Sequence, residues 1–480
     1  MFSDKETKNI LYNVIYKLLN VLFPLISAGI IARRLLPSGV GKVSAAQNIV
    51  TYFTFLAPMG LPVYGIRECS KVSGRKLNIV FSECFIINAI STTICLLGYY
   101  LMINFIPYYE SEKLLYSIAG LSIAFNYLNI EWFYQGKGEY KYITMRSSFI
   151  KIVMLLAIIL FIKNPSDYTV YALIYCLAIC GNYIFNMIHL KKYSIKFDLS
   201  NNALGRHIKP LLILLSSNIA VELYSLVDTT MLAVICDDEI VAYYSNSMKI
   251  IKVAIFVIAA LGGTTLQRIT LMIEEKKYKN VSDICINIIK IMILFAMPCM
   301  FGIIAESPNI IYVLYGNKYM KAVITMRILA GLFMFLPFSN FIGTQVLVAF
   351  NKEKKVFCIQ GIAAVINIIL NVCLINQFQQ NGAAIASVIS EGMVTILMMI
   401  LVRKQIGCIV DYCYTIQIIL ASVVMFVCVF LWNKVITMGI VSLISGIVIG
   451  GGIYIMILYI LKNESILYIY RRFKKLNKSE

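Results

Sequence analysis

The chain has 480 residues, of which 60% are hydrophobic and 14% are charged, and its formal net charge is +19. A soluble globular protein carries roughly 25% charged residues, so this composition excludes an ordinary soluble fold. Nucleic-acid binding is also excluded, because the basic residues lie mostly in short loops between apolar runs and form no arginine-rich patch with interleaved aromatics. The composition predicts an all-α polytopic membrane protein.

Apolar runs of about 20 residues recur along the whole chain, each long enough to cross the hydrocarbon core of a bilayer. We predict 14 transmembrane helices from them. The first seven cover about 10–31, 40–61, 78–106, 114–134, 142–162, 168–190 and 208–235. The other seven cover about 240–271, 282–305, 322–349, 356–375, 383–403, 413–432 and 437–461.

Basic residues assign the sides of the membrane, since Lys and Arg are enriched in cytoplasmic loops. With these spans, most loop cations fall on the side of the N-terminus, including four in the loop 62–77. The opposite side carries seven: Arg33, Arg34, Lys113, Lys163, Lys318, Lys321 and Lys434. An even number of spans and this asymmetry predict that both termini are cytoplasmic.

The two halves of the chain resemble each other at an offset of 201 residues. Residues 21–68 align with 222–269 without a gap, and Arg67 then matches Arg268. We therefore predict a lobe over 1–205 (spans 1–6) and a parallel repeat of it over 206–405 (spans 7–12). Spans 13 and 14 and a basic cytoplasmic tail follow over 406–480. Facing repeats with a site between them are typical of alternating-access transporters.

Arg33 and Arg34 interrupt the stretch "IIARRLLPSGVGK", at 30–42, where the first span should end on the outer side. Two interpretations stay open. Both side chains can extend to lipid phosphates at the interface, or one can face a polar cavity and meet an anionic substrate. A cation inside a membrane is costly unless it faces a cavity or a partner.

Charged residues inside spans are functional candidates by default. The cations near span centres outnumber the anions: Lys17, Lys151, Lys249, Lys252 and Lys290 against Glu222, Asp228 and Glu391. Lys249 and Lys252 share one helix face and can also pair with Glu222 or Asp228. The surplus favours an anionic cargo. Three further charges lie near span ends, where they can extend to the interface: Glu83, Glu131 and Arg327.

Amide side chains inside spans can join helices or line a path for sugar hydroxyls, which need donors and acceptors. The candidates are Gln47, Asn48, Asn126 and Asn129. The sequence has no Walker loop, zinc-ligand spacing or nucleophile elbow. We therefore expect no enzyme activity, no catalytic residue, no metal site and no organic cofactor.

Four stretches resemble the Wzx-type polysaccharide (O-antigen and capsule repeat-unit) flippases of the MATE/MOP superfamily. They are "GLPVYGIRE" at 60–68, "EWFYQGKGEYKYI" at 131–143, "LYSLVDTTML" at 223–232 and "INIILNVCLINQFQQNGAAIASVISE" at 366–391. The resemblance covers about residues 5–405. It implies a two-lobed bundle in the bacterial cytoplasmic membrane that moves undecaprenyl-pyrophosphate-linked oligosaccharide between leaflets.

The resemblance also implies roles for the candidate residues. The cationic cavity would comprise Arg33, Arg34, Lys17, Arg67, Lys249, Lys252 and Arg268. The sugar path would comprise the four amides named above, and Glu222, Asp228 or Glu391 could couple transport to H⁺ or Na⁺. Expected partners are membrane lipid, a polysaccharide polymerase and a chain-length regulator.

Three rival functions stay open at this point. A cation-coupled multidrug exporter of the MATE type relies on carboxylates; Glu222 and Asp228 favour it, and Lys17 counts against it. A lipid II flippase fits the number of spans. A polysaccharide polymerase or ligase usually has a large external loop, whereas the longest external segment here is 306–321.

Overall fold

The computed structural model of the chain describes residues 4–200, 203–259, 265–407 and 409–465, with side chains described outside 4–22 and 216–225. Every regular element in these ranges is a helix, which confirms the predicted fold class. The chain divides into two compact units, Met1–Ala242 and Tyr243–Glu480. Helix α8 therefore belongs to the first unit. The predicted boundaries at 205 and 405 separate sequence repeats, which need not coincide with the compact units. They stay a prediction.

The first unit consists of long helices joined by short connections. Its helices are α1 (Asp4–Leu56), α2 (Leu61–Lys71), α3 (Gly74–Phe105), α4 (Lys113–Ala124), α5 (Glu131–Gly136), α6 (Tyr140–Phe161), α7 (Tyr168–His189) and α8 (Gly205–Ile235). Short 3₁₀ turns link several of them, including Phe125–Leu128 between α4 and α5.

Helix α1 contains a break that explains how two predicted spans become one 53-residue element. Leu36 has φ 60° and ψ 174°, which is not helical. Pro37 follows, and proline both lacks an N–H donor and forces the preceding residue out of the α conformation. The predicted turn between spans 1 and 2 is therefore a sharp kink at Leu36–Pro37.

Helix α9 (Asp238–Ala259) crosses from the first unit into the second. The second unit continues with α10 (Leu266–Glu274), α11 (Tyr278–Tyr315), α12 (Ala322–Leu329), α13 (Leu336–Phe341), α14 (Glu353–Phe378), α15 (Gln380–Ile406), α16 (Tyr412–Val435) and α17 (Ile440–Ile460). A π-helical turn, Ile342–Leu347, extends α13. Helices α16 and α17 pack on each other and on α11.

Eleven helices in the described ranges are long and apolar enough to cross a membrane, so the count of 14 is not confirmed. The difference arises at three places. Spans 10–31 and 40–61 are merged in α1, and span 114–134 is divided between α4, the 3₁₀ turn and α5. Span 208–235 lies in α8, whose side chains are not described over 216–225, so only Leu226–Ile235 is counted there as an apolar stretch.

Buried aromatic residues hold the first unit together. Phe81 on α3 contacts Trp132 and Phe133 of α5, with ring centres 5.6 and 5.4 Å apart. Gly65 on α2 packs against the Trp132 ring so closely that a β-carbon would lie 2.6 Å from it.

Large apolar side chains elsewhere are exposed, such as Phe161 at 65% and Val441 at 70%. Apolar surface of this extent marks contact with a membrane or a partner, and the chain is a multi-pass membrane protein.

Candidate functional site

Arg34 binds the carbonyl oxygens at the C-terminal end of α6. Its Nη1 donates to the carbonyl oxygens of Ile158 (3.2 Å), Ile159 (2.6 Å) and Ile162 (2.6 Å). The last four carbonyls of a helix lack intrahelical partners, and a cation there also interacts favourably with the helix dipole. Arg34 thus caps α6, while Arg33 is exposed. The substrate-binding role of both arginines stays a prediction.

The other predicted arginines lie at helix surfaces. Arg67 on α2 has a half-exposed side chain; its Nε is 3.0 Å from Glu68 Oε1, and its guanidinium lies over the Tyr64 ring at 5.2 Å. Its repeat counterpart Arg268, on α10 in the second unit, is exposed.

The predicted lysines have different environments. Lys249 on α9 is half-buried and donates to Asn246 Oδ1 at 3.3 Å, whereas Lys252 is exposed. Lys151 on α6 lies 5.8 Å from the centre of the Phe23 ring. The side chain of Lys17 lies outside the described residues.

Lys290 corrects the predicted surplus of cations. Its Nζ is 2.8 Å from Asp411 Oδ2 and 3.2 Å from Glu464 Oε2. Both carboxylates follow helix ends and were not counted among the span charges. Lys290 is therefore neutralised within the protein, and the excess of cations over anions near span centres is smaller by one than the sequence predicts. Carboxylates outside the spans also pair with charges inside them.

Asn48 links two helices of the first unit. Its Nδ2 donates to Leu226 O at 3.1 Å and to Thr230 Oγ1 at 2.7 Å, and Tyr52 Oη lies 2.9 Å from the same hydroxyl. Amides that join helices in this way are common inside membranes. Gln47 lines a separate small cavity of about 60 Å³.

Asn126 and Asn129 also belong to a closed amide network. Asn126 Nδ2 donates to Asn88 Oδ1 (3.0 Å) and Thr92 Oγ1 (2.8 Å), and Asn88 Nδ2 donates to Asn126 O (2.7 Å). Asn129 Nδ2 donates to Asn126 Oδ1 at 2.9 Å. These bonds hold α3 against the 3₁₀ turn Phe125–Leu128, and the sugar-binding role of both residues stays a prediction.

The proposed coupling carboxylates lie in different units. Asp228 on α8 is 5% exposed. Glu391 on α15 accepts a hydrogen bond from Ser339 Oγ at 3.3 Å. The side chain of Glu222 lies outside the described residues.

Sequence reasoning missed a buried arginine on α6. Arg146 is 3% exposed at its side chain; Nη2 is 2.8 Å from Glu131 Oε2, Nε donates to Asn182 Oδ1 at 3.1 Å, and Nη1 donates to Asn186 Oδ1. Glu131 therefore pairs inside the unit instead of extending to the interface. Arg146 lies only a few residues inside its predicted span, and this position was the one signal in the sequence. It does not show that the side chain has partners on α5 and α7.

Glu83 was predicted to extend to the interface, and that prediction is wrong. Its side chain is completely buried; Oε2 lies 2.8 Å from His207 Nε2 and accepts from Arg206 Nη2, and Oε1 accepts from the Ala203 N–H at 3.1 Å. His207 Nδ1 is 2.7 Å from Tyr64 Oη. This buried chain joins α2, α3 and the start of α8.

A cavity of about 900 Å³ adjoins that chain. Its lining includes Arg75, Lys76, Arg206 and His207. Arg75 Nε is 3.0 Å from Asp198 Oδ2. Hydrogen bonds from the Ser200 side chain and backbone N–H, followed by the bond from Arg75, lower the pKa of Asp198 to about 2.

The second unit contains a buried carboxyl group that lies in the predicted external segment. Glu306, on α11, is 3% exposed. Asn309 Nδ2 donates to Oε2 at 2.8 Å, and Asn433 Nδ2 from α16 donates to Oε1 at 3.0 Å. Asn309 also donates to Ser442 Oγ of α17 at 3.1 Å. In the described part of the chain, no ion pair to Glu306 is found.

Comparison with known proteins agrees with this architecture. Among solved structures, a lipid II flippase MurJ in an inward closed conformation superposes with a TM-score of 0.79, at 15% identity, over 95% of this chain and all of that one. An inward-facing multidrug resistance MATE transporter of the MOP superfamily gives a TM-score of 0.67 at 14% identity, over 84% of this chain and 98% of that one. At these identities the likeness establishes the fold.

Sequence relatives extend over most of the chain. A protein of Escherichia coli (strain K12) named "Putative O-antigen transporter" is 23% identical over 414 residues, 83% of this chain and 97% of that protein. One of the same name from Shigella dysenteriae is 21% identical over 82% of this chain and 98% of its own length. A family described as MatE matches 214–373. The family described as "Polysaccharide biosynthesis protein" matches residues 7–267, more than half of the chain, and the chain belongs to that family.

Proposed function

We propose that this protein is a flippase for lipid-linked oligosaccharides. It moves undecaprenyl-pyrophosphate-linked repeat units from the cytoplasmic to the outer leaflet by alternating access, in the synthesis of O-antigen, capsule or a related surface polysaccharide. The observation that carries the proposal is the match to the E. coli O-antigen transporter over 97% of that protein's length. A protein of Haloferax volcanii named "Probable low-salt glycan biosynthesis flippase Agl15", 25% identical over 181 residues, 38% of this chain and 38% of that protein, supports the same class of cargo.

The chemistry of this cargo fits the composition of the chain. A polyprenyl tail can remain in lipid while the head crosses, so the protein must accommodate only a pyrophosphate and its sugars. Pyrophosphate oxygens are bound best by Arg and Lys, and the chain has 43 Lys and Arg against 24 Asp and Glu. Asparagine and glutamine side chains supply both donors and acceptors for hydroxyl groups.

We also propose a topology, a coupling ion and two partner proteins. Both termini are cytoplasmic in the bacterial inner membrane, and the protein acts without catalysing a covalent reaction. Asp228 or Glu391 carries a coupling H⁺ or Na⁺, and Glu222 is a third candidate. A polysaccharide polymerase and a chain-length regulator receive the product on the outer side.

Complementation tests the proposed function. Wild type is expressed in a strain that lacks its repeat-unit flippase, and surface polysaccharide is measured together with the leaflet in which the lipid-linked unit accumulates. We expect surface polymer to return and the unit to become accessible to a membrane-impermeant lectin on spheroplasts. Drug resistance without surface polymer would support a multidrug exporter, and rescue of a strain depleted of its lipid II flippase would support that cargo.

A further inference from the structure

The cavity at the junction of α2, α3 and α8 has a lining rich in cations. Three cations contribute to it: Arg75, Lys76 and Arg206. We call these residues with His207 the basic cradle. We propose that the basic cradle binds the pyrophosphate group of the lipid-linked substrate before the group crosses the membrane, an inference that rests on the proposed function.

The charges of the lining favour an anion. Glu68 is the acidic residue of the lining, and its Oε1 is already 3.0 Å from Arg67 Nε and 3.2 Å from Lys71 Nζ. Asp198 pairs with Arg75, which still has a side chain 76% exposed. Glu83, behind the lining, pairs with Arg206. In the part of the chain that the structure describes, no ion pair to Lys76 is found, so the cavity keeps a positive charge.

The buried chain behind the cradle holds Arg206 in place. Arg206 Nη2 bonds to Glu83, which is fully buried, and Arg206 Nε lies 3.2 Å from His207 Nε2. The bond to Glu83 engages one of the five N–H donors of the guanidinium, and the side chain is 44% exposed. An arginine fixed in this way binds phosphate oxygens without a large loss of side-chain entropy.

A second cavity of the same unit shows that a basic lining is not a general result of the net charge. That cavity, of about 450 Å³, is lined by Glu112, Asp237, Asp238 and Glu239, with Lys42 as its cation. Lys42 forms an ion pair with Glu112. Two cavities of opposite charge in one unit indicate that the positive charge of the cradle is specific to its position.

The position matches the expected route of the cargo. The lining of the cradle comes from residues between 64 and 80 and from Ser200, Arg206 and His207. All lie within the loops or span ends that the basic residues assign to the cytoplasmic side. A head group made in the cytoplasmic leaflet meets this side first. The cradle would therefore act before the central cavity, as a receiving site.

A binding experiment tests the cradle with the full-length protein in an uncharged detergent. The probe is farnesyl pyrophosphate, and farnesol is the control that lacks phosphate. The variants are Arg206→Gln and the double variant Arg75→Gln/Lys76→Gln, with Lys191→Gln as the matched control for an exposed cation outside the cradle. Because Arg206 contacts a buried carboxylate, the double variant serves as the test should Arg206→Gln fail to fold.

We expect wild type to bind the probe but not farnesol. Loss of a charge-assisted hydrogen bond should weaken binding by about 10-fold or more in each cradle variant, while Lys191→Gln stays within about twofold of wild type. Unchanged affinity in the cradle variants would overturn the inference. So would displacement of the probe by phosphatidylglycerol as readily as by unlabelled probe, which would make the cradle a phospholipid site.

Complementation separates this inference from the proposed function. If wild type restores surface polymer and the double variant binds the probe as tightly as wild type, the cradle is wrong and the flippase stands. If probe binding depends on the cradle and abundant wild type restores no polymer with any of several repeat units, the cradle's phosphate chemistry stands and the flippase is wrong.

Discussion

Arg34 in the first helix donates a hydrogen bond from Nη1 to the carbonyl oxygen of Ile162, 2.6 Å away at the end of α6. The bond crosses 128 residues of sequence and fixes the kinked part of α1 to a helix end. An arginine that the sequence predicts to be external and to bind substrate therefore already has a structural partner.

Replacement of Arg34 by Ala should destabilise the protein by about 1.5–3 kcal/mol, because helix-end carbonyls lose a charged donor. The measurement is thermal unfolding of the purified protein in detergent. Arg33→Ala is the control and should change the melting temperature little, since Arg33 is exposed. The capping role would be contradicted if Arg33→Ala lowered the melting temperature and Arg34→Ala did not.

Arg146→Ala should be more damaging than loss of the helix cap. Removal of one partner from a buried ion pair costs about 3–5 kcal/mol, and Glu131, Asn182 and Asn186 all lose the guanidinium that binds them. We expect little folded protein on size-exclusion chromatography, and partial recovery with Arg146→Lys. Lys141→Ala, an exposed lysine on the same helix, should behave as wild type. Equal stability of the Arg146 and Lys141 variants would exclude a structural role for the pair.

Gly446 and Glu306 should show a coupled effect. A methyl group at position 446 would overlap Glu306 Oε1, so Gly446→Ala should lower the melting temperature markedly. Glu306→Ala removes the overlapping atoms, and we expect the double variant to be more stable than the sum of the single effects predicts; contacting residues typically couple by about 0.5–3 kcal/mol. Strict additivity would show that the two residues do not touch.

The low pKa of Asp198 predicts a specific pH dependence. Its folded-state pKa of about 2 lies below the ordinary value of 3.8, so the ionised group stabilises the fold above pH 4 and loses this effect as the pH falls towards 2. The melting temperatures of wild type and Asp198→Asn should therefore differ by a constant amount from about pH 5 to 8 and converge below about pH 4. Asp283→Asn, at another exposed position, is the control. A difference that persists unchanged at pH 3 would contradict the assignment.

The sequence predicted the class of fold because long apolar runs have few other solutions in a membrane. It placed a turn between the spans 10–31 and 40–61, where Arg33 and Arg34 interrupt the apolar sequence, and the break in α1 at Leu36 lies there. The number of spans was harder to predict. Hydropathy cannot tell that 114–134 is divided by a 3₁₀ turn whose polar groups are satisfied by Asn88 and Thr92.

The candidate site was predicted less well, because partners depend on three-dimensional placement. Arg146, Glu83 and Glu306 looked like span-end residues or were not considered, yet each is buried with several hydrogen bonds. His207, one of two histidines in the sequence, connects Tyr64 with Glu83, a link that no sequence pattern predicts. A charged residue within a few residues of a predicted span end can therefore be as deeply buried as one at the centre of a span.

The most direct test of the central claim is the leaflet distribution of the lipid-linked repeat unit in a flippase-deleted strain that expresses the wild-type chain. Our account predicts that lectin labelling of spheroplasts rises from background to a level close to that of the parent strain, with surface polymer restored. A repeat unit that stays inaccessible to lectin, in cells where the protein is abundant in the membrane and several repeat units have been tried, would contradict it.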